Sequence, residues 1–503
     1  MLYESLPAML ADRARTVPEH PAVSLAHETV TYRELQGAVE RACAELVALG
    51  LEPGERLVYL GRNSADPIVL FFVCARLGLR LVLPNWRLSA REMAMILDDA
   101  APALILVVDE FLSLVERESP QVLTWDDWQS MLSRPRPVSD QESGALAEAC
   151  RPDDDLVICY TSGSTGRPKG VRQTHANWLA VIEQMRHWPG GNWRIGATSL
   201  CLLPFFHVAG LRAAILPLAF KGTAVIPGSG SVEDVVEILR ARPIDTLSAV
   251  PTVLKFLLDA DPEGELRGRV RTMLYGGAAI PAPLIARART AYGCEFVQTY
   301  GASETTGTAV ALDDRDHTEE ALAAGCCGRP LPGIEVSIRR QDGNPADVGE
   351  EGEIYLRGPS IAAGYWRQPE QTQKRFVDGW FRPGDVGRLD ERGFLYFAGR
   401  DGDVIRTGGE KVFPREVEQV LLAHPDVVDA CAYGRPDPTW GEAVHAVVAL
   451  KPGADLTVAA LQVFCRSHLS AFKCPRFLKI LEQIPRNAGG KVDRTQLLLQ
   501  AEA

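Results

Sequence analysis

Short apolar strand patterns alternate with helix patterns along the first 300 residues, and this alternation limits the fold more than any other feature of the chain. RLVYLG, LVLPN and ALILVV have the pattern of strands, while ADPIVLFFVCARLG and SAREMAMILDDA, the second with Ser89 as its N-cap, have the pattern of helices. The same rhythm returns between residues 232 and 300. Strands joined by helices form a parallel sheet covered on both faces, so the sequence predicts an α/β fold that binds ligands where strands end.

The pattern changes in the last third of the chain. From about residue 325, glycine-rich strands such as GEIYLRG and GFLYFAG indicate a smaller β subdomain. GRDGD, residues 399–403, is a polar break, and a compact α+β segment follows it. Because 503 residues are too many for one core, we predict two domains. The large N-terminal domain, residues 1–400, would have mixed and parallel sheets covered by helices, and residues 401–503 would form a small C-terminal α+β domain.

Composition excludes several classes of protein. With 53 basic and 65 acidic residues, the net charge is −12, which argues against a nucleic-acid-binding surface. The eleven cysteines include no CxxC pair, which favours free thiols in a reducing compartment. The N-terminus lacks a signal-peptide core, and the longest apolar stretch is interrupted by arginines and a glycine. We therefore expect a cytoplasmic protein with no transmembrane segment.

The stretch YTSGSTGRPKG, residues 160–170, has the composition of a loop that holds phosphate. It is not a P-loop, because Pro168 precedes Lys169 and Gly170 follows it where Ser or Thr is required. Strand patterns flank the loop, so its hydroxyls, backbone N–H groups and one cation would face an anion such as a triphosphate. A plain glycine-rich turn is the alternative.

YTSGSTGRPKGV closely resembles the signature loop of the adenylate-forming superfamily, which includes acyl-CoA synthetases, aryl-CoA ligases, luciferases and peptide-synthetase adenylation domains. The resemblance implies that a carboxylate attacks the α-phosphate of ATP, giving acyl-AMP and pyrophosphate, and that a thiol, usually that of coenzyme A, then attacks acyl-AMP. It extends over nearly the whole chain through six further motifs in order, namely PFFHVAGL, YGGAAIP, YGASETTG, GWFRPGDVG, GRDGDVIRTGGEKVFPREVE and PRNAGGKVDR.

The resemblance implies that several motifs bind different parts of the nucleotide. The loop would hold the β- and γ-phosphates, a small-residue turn would wall the adenine, and an acid and an arginine would bind the ribose hydroxyls. The implied nucleotide-binding residues are Thr161, Ser162, Gly163, Ser164, Thr165, Gly166 and Lys169 in the loop, Gly276, Gly277, Ala278 and Ala279 at the adenine, Tyr300, Gly301 and Ser303 beside them, Asp385 and Arg400 at the ribose, and Lys491.

The implied catalytic groups are Lys491, Glu304, His207 and Lys169. Glu304, with Thr165, would ligate Mg2+, a cation that prefers carboxylate and phosphate oxygens. Ser303 keeps the hydroxyl of the family's usual threonine.

Lys491 would reach the carboxylate and α-phosphate from the C-terminal domain, which must then move about a joint at Asp401 and Gly402. Gly402 stands where the family commonly has Asp or Lys.

The acyl substrate is less narrowly defined. FFHVAGL lacks the acid that pairs with the ammonium of an amino-acid substrate. His207 resembles the histidine that orients the carboxylate, although a core histidine is the alternative. The predicted pocket is mostly apolar, and two glycines would line the pantetheine channel. The implied residues are His207, Val208, Leu211, Tyr275, Ala302, Thr308 and Ala309 in the pocket, and Gly408 and Gly409 in the channel.

These features favour an acyl-CoA ligase for a fatty or related apolar acid. An aryl, alicyclic or polycyclic acid is an alternative substrate, and an acyl carrier protein is an alternative acceptor. A non-catalytic nucleotide-binding relative and a luciferase-like oxidase are more distant alternatives. A homodimer stays open.

Overall fold

The computed structural model describes residues 3–25, 28–115, 121–133, 150–161, 168–188, 190, 193–277, 280, 282–407, 410–487 and 492–502. Among these, the helices are α1 (Leu6–Thr16), α2 (Tyr32–Ala48), α3 (Asp66–Leu77), α4 (Ala90–Ala100), α5 (Trp125–Leu132), α6 (His175–His187), α7 (Val208–Ala219), α8 (Val232–Ala241), α9 (Pro251–Ala260), α10 (Ala282–Tyr292), α11 (Glu319–Ala323), α12 (Pro369–Arg375), α13 (Pro414–Ala423), α14 (Val458–His468) and α15 (Arg494–Glu502).

The strands are β1 (Pro21–Ser24), β2 (Thr29–Thr31), β3 (Arg56–Leu60), β4 (Arg80–Val82), β5 (Leu104–Val107), β6 (Gln121–Thr124), β7 (Asp155–Thr161), β8 (Lys169–Thr174), β9 (Thr198–Leu200), β10 (Thr223–Val225), β11 (Ile244–Ala249), β12 (Val270–Gly276), β13 (Glu295–Ala302), β14 (Gly307–Leu312), β15 (Cys326–Pro330), β16 (Glu335–Arg339), β17 (Gly352–Arg357), β18 (Phe376–Val377), β19 (Trp380–Phe381), β20 (Asp385–Leu389), β21 (Leu395–Arg400), β22 (Ile405–Thr407), β23 (Glu410–Val412), β24 (Val427–Asp437), β25 (Gly441–Leu450) and β26 (Phe477–Leu481).

One sheet has the order β6-β5-β3-β4-β7-β8, and its strands are parallel except for the β7–β8 hairpin. The helices between these strands start and stop where local signals predict. Ser89 caps α4 in a capping box with Glu92, and α3 ends at Leu77, before Gly78. The predicted alternation of strands and helices is confirmed here.

A larger sheet runs from β2 through β1, β10, β9, β11, β12 and β13 to β14, and continues into the antiparallel strands β15, β21, β20, β17, β19 and β18, with β16 beside β17. Its neighbours are parallel from β1 to β13 and antiparallel from β13 onward. The antiparallel strands from β15 onward correspond to the glycine-rich β subdomain that the sequence predicts from about residue 325. The main buried core fills the space between this sheet, the first sheet and helices α1, α2, α3, α6 and α7.

The last hundred residues form a separate sheet of order β23-β22-β25-β24, with β26 parallel to β25. Helices α13 and α14 cover it, and their residues Val417, Leu421 and Leu461 are fully buried in the core of this part. β21 of the larger sheet ends at Arg400, and a short 3-10 turn, Asp401–Asp403, precedes β22. We propose the domain boundary at this turn, between residues 400 and 401.

No helix within the described ranges is long and apolar enough to span a membrane.

Candidate active site

The predicted phosphate loop connects β7 to β8. These strands pair antiparallel, with Thr161 opposite Lys169, and the Thr161 hydroxyl donates to the Lys169 carbonyl oxygen over 3.4 Å. The hairpin therefore places both ends of the loop side by side at the end of the sheet. The intervening predicted residues Ser162, Gly163, Ser164, Thr165 and Gly166 lie outside the described part of the chain.

Lys169 presents a half-buried cation at this hairpin. Its Nζ donates to Oε1 of Gln371 over 3.3 Å and lies 5.4 Å from the centroid of the Tyr365 ring. Burial, together with the nearby Arg375, lowers the pKa of Lys169, and Glu304 opposes this effect. A cation surrounded by other cations suits a polyanionic ligand better than a single carboxylate.

Glu304 lies in the 3-10 turn Ser303–Thr305, which follows β13. The Tyr365 hydroxyl donates to its Oε1 over 2.8 Å, and its carbonyl oxygen accepts from the Ala362 N–H over 2.8 Å. Tyr365 therefore touches both Glu304 and Lys169. Within the described ranges, no three His, Cys, Asp or Glu residues cluster as metal ligands. One carboxylate beside the predicted phosphate loop fits Mg2+, which commonly takes one or two carboxylates and fills its shell with phosphate oxygens and water.

Neighbouring strands hold this turn in place. Gln173 Nε2 donates to the Ser303 carbonyl oxygen over 2.9 Å, and the Cys159 thiol donates to the Ser303 hydroxyl over 3.6 Å. Gly301 packs so closely on the Gly307 backbone that a side chain there would clash. The motif YGASE thus has a fixed backbone on which Glu304 stands.

Asp385 and Tyr300 form the second polar centre. The Tyr300 hydroxyl donates to Asp385 Oδ2 over 2.6 Å, and Arg400 Nε lies 3.3 Å from Oδ1. Oδ1 is nevertheless buried without a hydrogen-bond partner among the described residues. Burial raises the pKa of Asp385, while Tyr300 and Arg400 oppose the rise. A buried acceptor that lacks a donor fits a ribose hydroxyl.

The predicted adenine wall follows β12. A side chain on Gly276 would clash with the backbone oxygen of Thr299, and Gly277 has φ +77°, so both positions favour glycine. Ala278 and Ala279 lie outside the described residues.

The predicted acyl pocket begins at His207, the exposed N-cap residue of α7, whose ring centroid lies 4.6 Å from that of Phe206. Val208 and Leu211 line a cavity whose walls also include Phe205, Phe206, Leu83 and Cys159.

In the antiparallel pair β13–β14, Thr308 is opposite Gly301, the residue that precedes Ala302. Ala309 lies in the same buried core as Leu211.

The structure does not bring Tyr275 to this pocket. Side chains alternate along β12, so Leu274 faces the core that contains Leu211, whereas Tyr275 faces a different core on the other side. The Tyr275 hydroxyl lies 2.9 Å from Nε2 of His317 and donates to Gln298 over 3.3 Å. The pocket prediction for Tyr275 is corrected accordingly.

Three of the residues predicted to act from the C-terminal part, Lys491, Gly408 and Gly409, lie outside the described residues. The proposed joint is the turn Asp401–Asp403, and Asp403 forms an ion pair with Arg494 across 2.5 Å.

The sequence analysis did not single out Tyr365 and Gln371, which contact Glu304 and Lys169, or Arg212, a buried arginine of α7. Tyr365 stands in GYW just before a proline-initiated helix, and Arg212 is the only charge in the apolar run HVAGLRAAILPLA, so these two residues had a local signal.

Comparison with known proteins is consistent with this geometry. Residues 10–366 match the family model described as AMP-binding enzyme, and residues 416–491 match the AMP-binding enzyme C-terminal domain. A 2-succinylbenzoate–CoA ligase from Geobacillus kaustophilus is 34% identical over 500 residues, which cover 98% of this chain and 97% of that protein. The fatty acid–acyl-carrier-protein ligase ScoC from Streptomyces coeruleorubidus is 33% identical over 497 residues, which cover 96% and 94%.

Solved structures of related ligases resemble this chain over nearly its whole length. The o-succinylbenzoate CoA synthetase from Bacillus subtilis in complex with its acyl-adenylate intermediate superposes with a TM-score of 0.85 at 31% identity and 98% coverage of both chains. The same enzyme with ATP and a magnesium ion gives a TM-score of 0.83 at 31% identity and covers 97% of this chain and 99% of its own.

Proposed function

The chain belongs to the AMP-binding enzyme family, and from that premise we propose that it is an ATP-dependent acid–thiol ligase. It adenylates an apolar carboxylic acid, releases pyrophosphate and transfers the acyl group to the thiol of coenzyme A. The observation that carries the proposal is the contact of Tyr365 with both Glu304 and Lys169, because it joins a metal-binding carboxylate to a phosphate-binding cation.

In the first half-reaction, a carboxylate oxygen bonds to the α-phosphorus, and the bond from that phosphorus to the bridging oxygen breaks, with both electrons leaving on pyrophosphate. Two anions approach each other, so positioning and charge neutralisation supply most of the catalysis. Lys169 neutralises the β- and γ-phosphates, Asp385 and Arg400 fix the ribose, and His207 orients the carboxylate. Mg2+ held by Glu304 would withdraw charge from the phosphate oxygens.

Lys491 completes the adenylation site from the C-terminal domain. That domain then turns about Asp401 and Gly402, and Gly408 and Gly409 would leave room for the thiol to pass. In the second half-reaction the thiolate sulfur attacks the acyl carbonyl carbon, and AMP leaves with the electrons of the carbon–oxygen bond. All eleven cysteines are free thiols, which supports placing this reaction in the reducing cytoplasm.

A fatty acid and an aryl or alicyclic acid both fit an apolar pocket, and the two curated relatives act on one class each. The acceptor has two candidates as well. Most of the relatives compared are CoA ligases, whereas ScoC is a ligase for an acyl carrier protein, so a carrier-protein thiol is the second candidate.

The test is a panel of carboxylic acids assayed for pyrophosphate release and AMP formation, with and without coenzyme A. We expect AMP and an acyl-CoA thioester from a subset of acids. If magnesium, ATP and a broad set of acids never yield pyrophosphate, the proposal is wrong. Lys491→Ala should suppress adenylation and spare thioester formation from synthetic acyl-AMP, while an equal loss of both would remove the role assigned to Lys491.

A further inference from the structure

Arg212 is a buried cation that no described residue pairs with. It lies in α7, only 7% of its surface is exposed, and its Nη1 is buried with no hydrogen-bond partner among the residues that the structure describes. Burial lowers the pKa of Arg212 to about 10, and no carboxylate in the described part of the chain offsets the effect. The guanidinium therefore stays charged at neutral pH. A buried charge normally has a partner, since leaving it unpaired destabilises the fold.

Its position relates it to the acyl pocket. Val208 and Arg212 are four residues apart in α7 and therefore share one face of the helix. Val208, with Leu211, lines the apolar cavity described above.

The guanidinium lies against Gly307, where a Cβ atom would come within 2.9 Å of Nη1. Gly307 is opposite Ala302 on β13 and begins β14, which continues into Thr308. The cation thus lies beside the strand ends predicted to form the pocket wall.

We propose that Arg212 binds a second anionic group on the substrate, so that the preferred acid has an apolar body with a carboxylate at each end. The inference rests on the proposed function. His207 orients the reacting carboxylate at the start of α7, and Arg212 lies five residues further on, or about 7.5 Å along the helix axis. Because His207 orients the reacting carboxylate, the group left for Arg212 is a distal one on the same acid.

The experiment compares matched acids, octanoate with octanedioate and 3-phenylpropanoate with its para-carboxylated analogue. Pyrophosphate release is measured as kcat/KM for wild type, Arg212→Met and Arg212→Lys. We expect wild type to prefer the diacid of each pair at least tenfold. Arg212→Met should lose about 100-fold on diacids, mainly through KM, and change less than about threefold on monoacids, and Arg212→Lys should recover part of the loss.

Arg13 offers a matched control. It is also a buried arginine, 4% exposed, but it pairs with Asp12 over 2.7 Å and donates to the Ala219 carbonyl oxygen over 2.9 Å. Arg13→Met should lower the melting temperature and leave acid preference unchanged. Arg212→Met should hold or raise the melting temperature, because it removes an unpaired buried charge.

The outcomes are distinguishable. Without pyrophosphate from any acid, the proposed function itself fails. If wild type accepts only monoacids, or if Arg212→Met loses activity equally on both members of each pair, the inference is overturned and the ligase assignment stands. If Arg212→Met does not fold, the wild-type preference and the Arg212→Lys profile decide.

Discussion

The hydroxyl of Tyr365 donates to Oε1 of Glu304 over 2.8 Å, joining two residues that are 61 positions apart in the chain. Tyr365 is 5% exposed, so this bond is shielded from water. A carboxylate held by one oxygen keeps the other available in a fixed direction. The tyrosine is therefore a positioning residue for the proposed magnesium ligand.

Tyr365→Phe keeps the ring beside Lys169 and removes the bond to Glu304. A hydrogen bond to a charged group is worth about 1.5–3 kcal/mol, so we expect kcat/KM for MgATP to fall roughly 10-fold or more, with a higher magnesium requirement. The measurement is pyrophosphate release as a function of magnesium and ATP concentration.

Tyr396 provides the control, because its hydroxyl also donates to a carboxylate, Asp390, over 3.2 Å, in the β subdomain. Tyr396→Phe should leave the magnesium requirement unchanged. If both variants shift it equally, or if Tyr365→Phe behaves as wild type, Tyr365 does not position Glu304 for the metal.

Asp385 should make nucleotide binding depend on pH. Burial raises the pKa of its carboxyl, and ribose hydroxyls donate to the ionised form. Nucleotide affinity should therefore increase as pH rises through this raised pKa, with a proton released on binding below it. Calorimetric titration of AMP in two buffers of different ionisation enthalpy measures the released proton. Asp385→Asn should weaken binding and abolish the proton release; a pH dependence that persists in this variant would contradict the role.

The same carboxyl predicts a stability change without nucleotide. The pKa of Asp385 is higher in the folded protein than in the unfolded chain. Its contribution to the free energy of unfolding is therefore fully present below the unfolded pKa and is lost as pH rises through the folded pKa. At neutral pH the ionised Asp385 is buried, and its Oδ1 accepts no hydrogen bond from the described residues, although Arg400 Nε lies 3.3 Å away. Asp385→Asn should therefore raise the melting temperature of the ligand-free protein at pH 7 more than at pH 4. A lower melting temperature at pH 7 would show that the charge stabilises the fold.

Local features of the fold were predictable, and long-range contacts were not. The capping box of Ser89 and Glu92 and the end of α3 at Gly78 depend on residues a few positions apart, so the sequence contains all that fixes them. Asp385 and Tyr300 are 85 positions apart, and only the motif resemblance predicted that they share a site.

Two site features were beyond the sequence for physical reasons. The alternation along β12 indicates that Leu274 and Tyr275 face opposite sides, but which side holds the pocket depends on how the sheets and α7 stack. Arg212 is visible in the sequence as a charge in an apolar helix, but whether any described residue pairs with it depends on how the whole core packs.

Tyr275→Phe tests the corrected position of this tyrosine. The change removes the hydroxyl contacts with His317 and Gln298, so we expect a loss of about 1 kcal/mol in the free energy of unfolding and no change in acid preference. Leu211→Ala is the comparison, because it removes a side chain from the cavity wall, enlarges the cavity and should favour bulkier acids. Chemical denaturation and the acid panel measure the two effects. A changed acid preference in Tyr275→Phe would return this residue to the pocket.

Gly402→Asp tests the proposed joint, because the structure has room for a side chain at this position. A Cβ atom at Gly402 would have no heavy atom of the described residues within 4 Å, so the aspartate should change the melting temperature little. A side chain narrows the backbone freedom of the turn that must rotate between the half-reactions. We therefore expect thioester formation from synthetic acyl-AMP to slow relative to pyrophosphate release, by about threefold or more. Gly402→Ala restricts the backbone conformations of the turn without adding a charge. Equal effects of the two variants would therefore assign the change in rate to backbone freedom. An effect of aspartate alone would assign it to a side-chain contact in one of the two domain positions. Unchanged rates of both half-reactions in both variants would mean that the turn at Gly402 is not the joint.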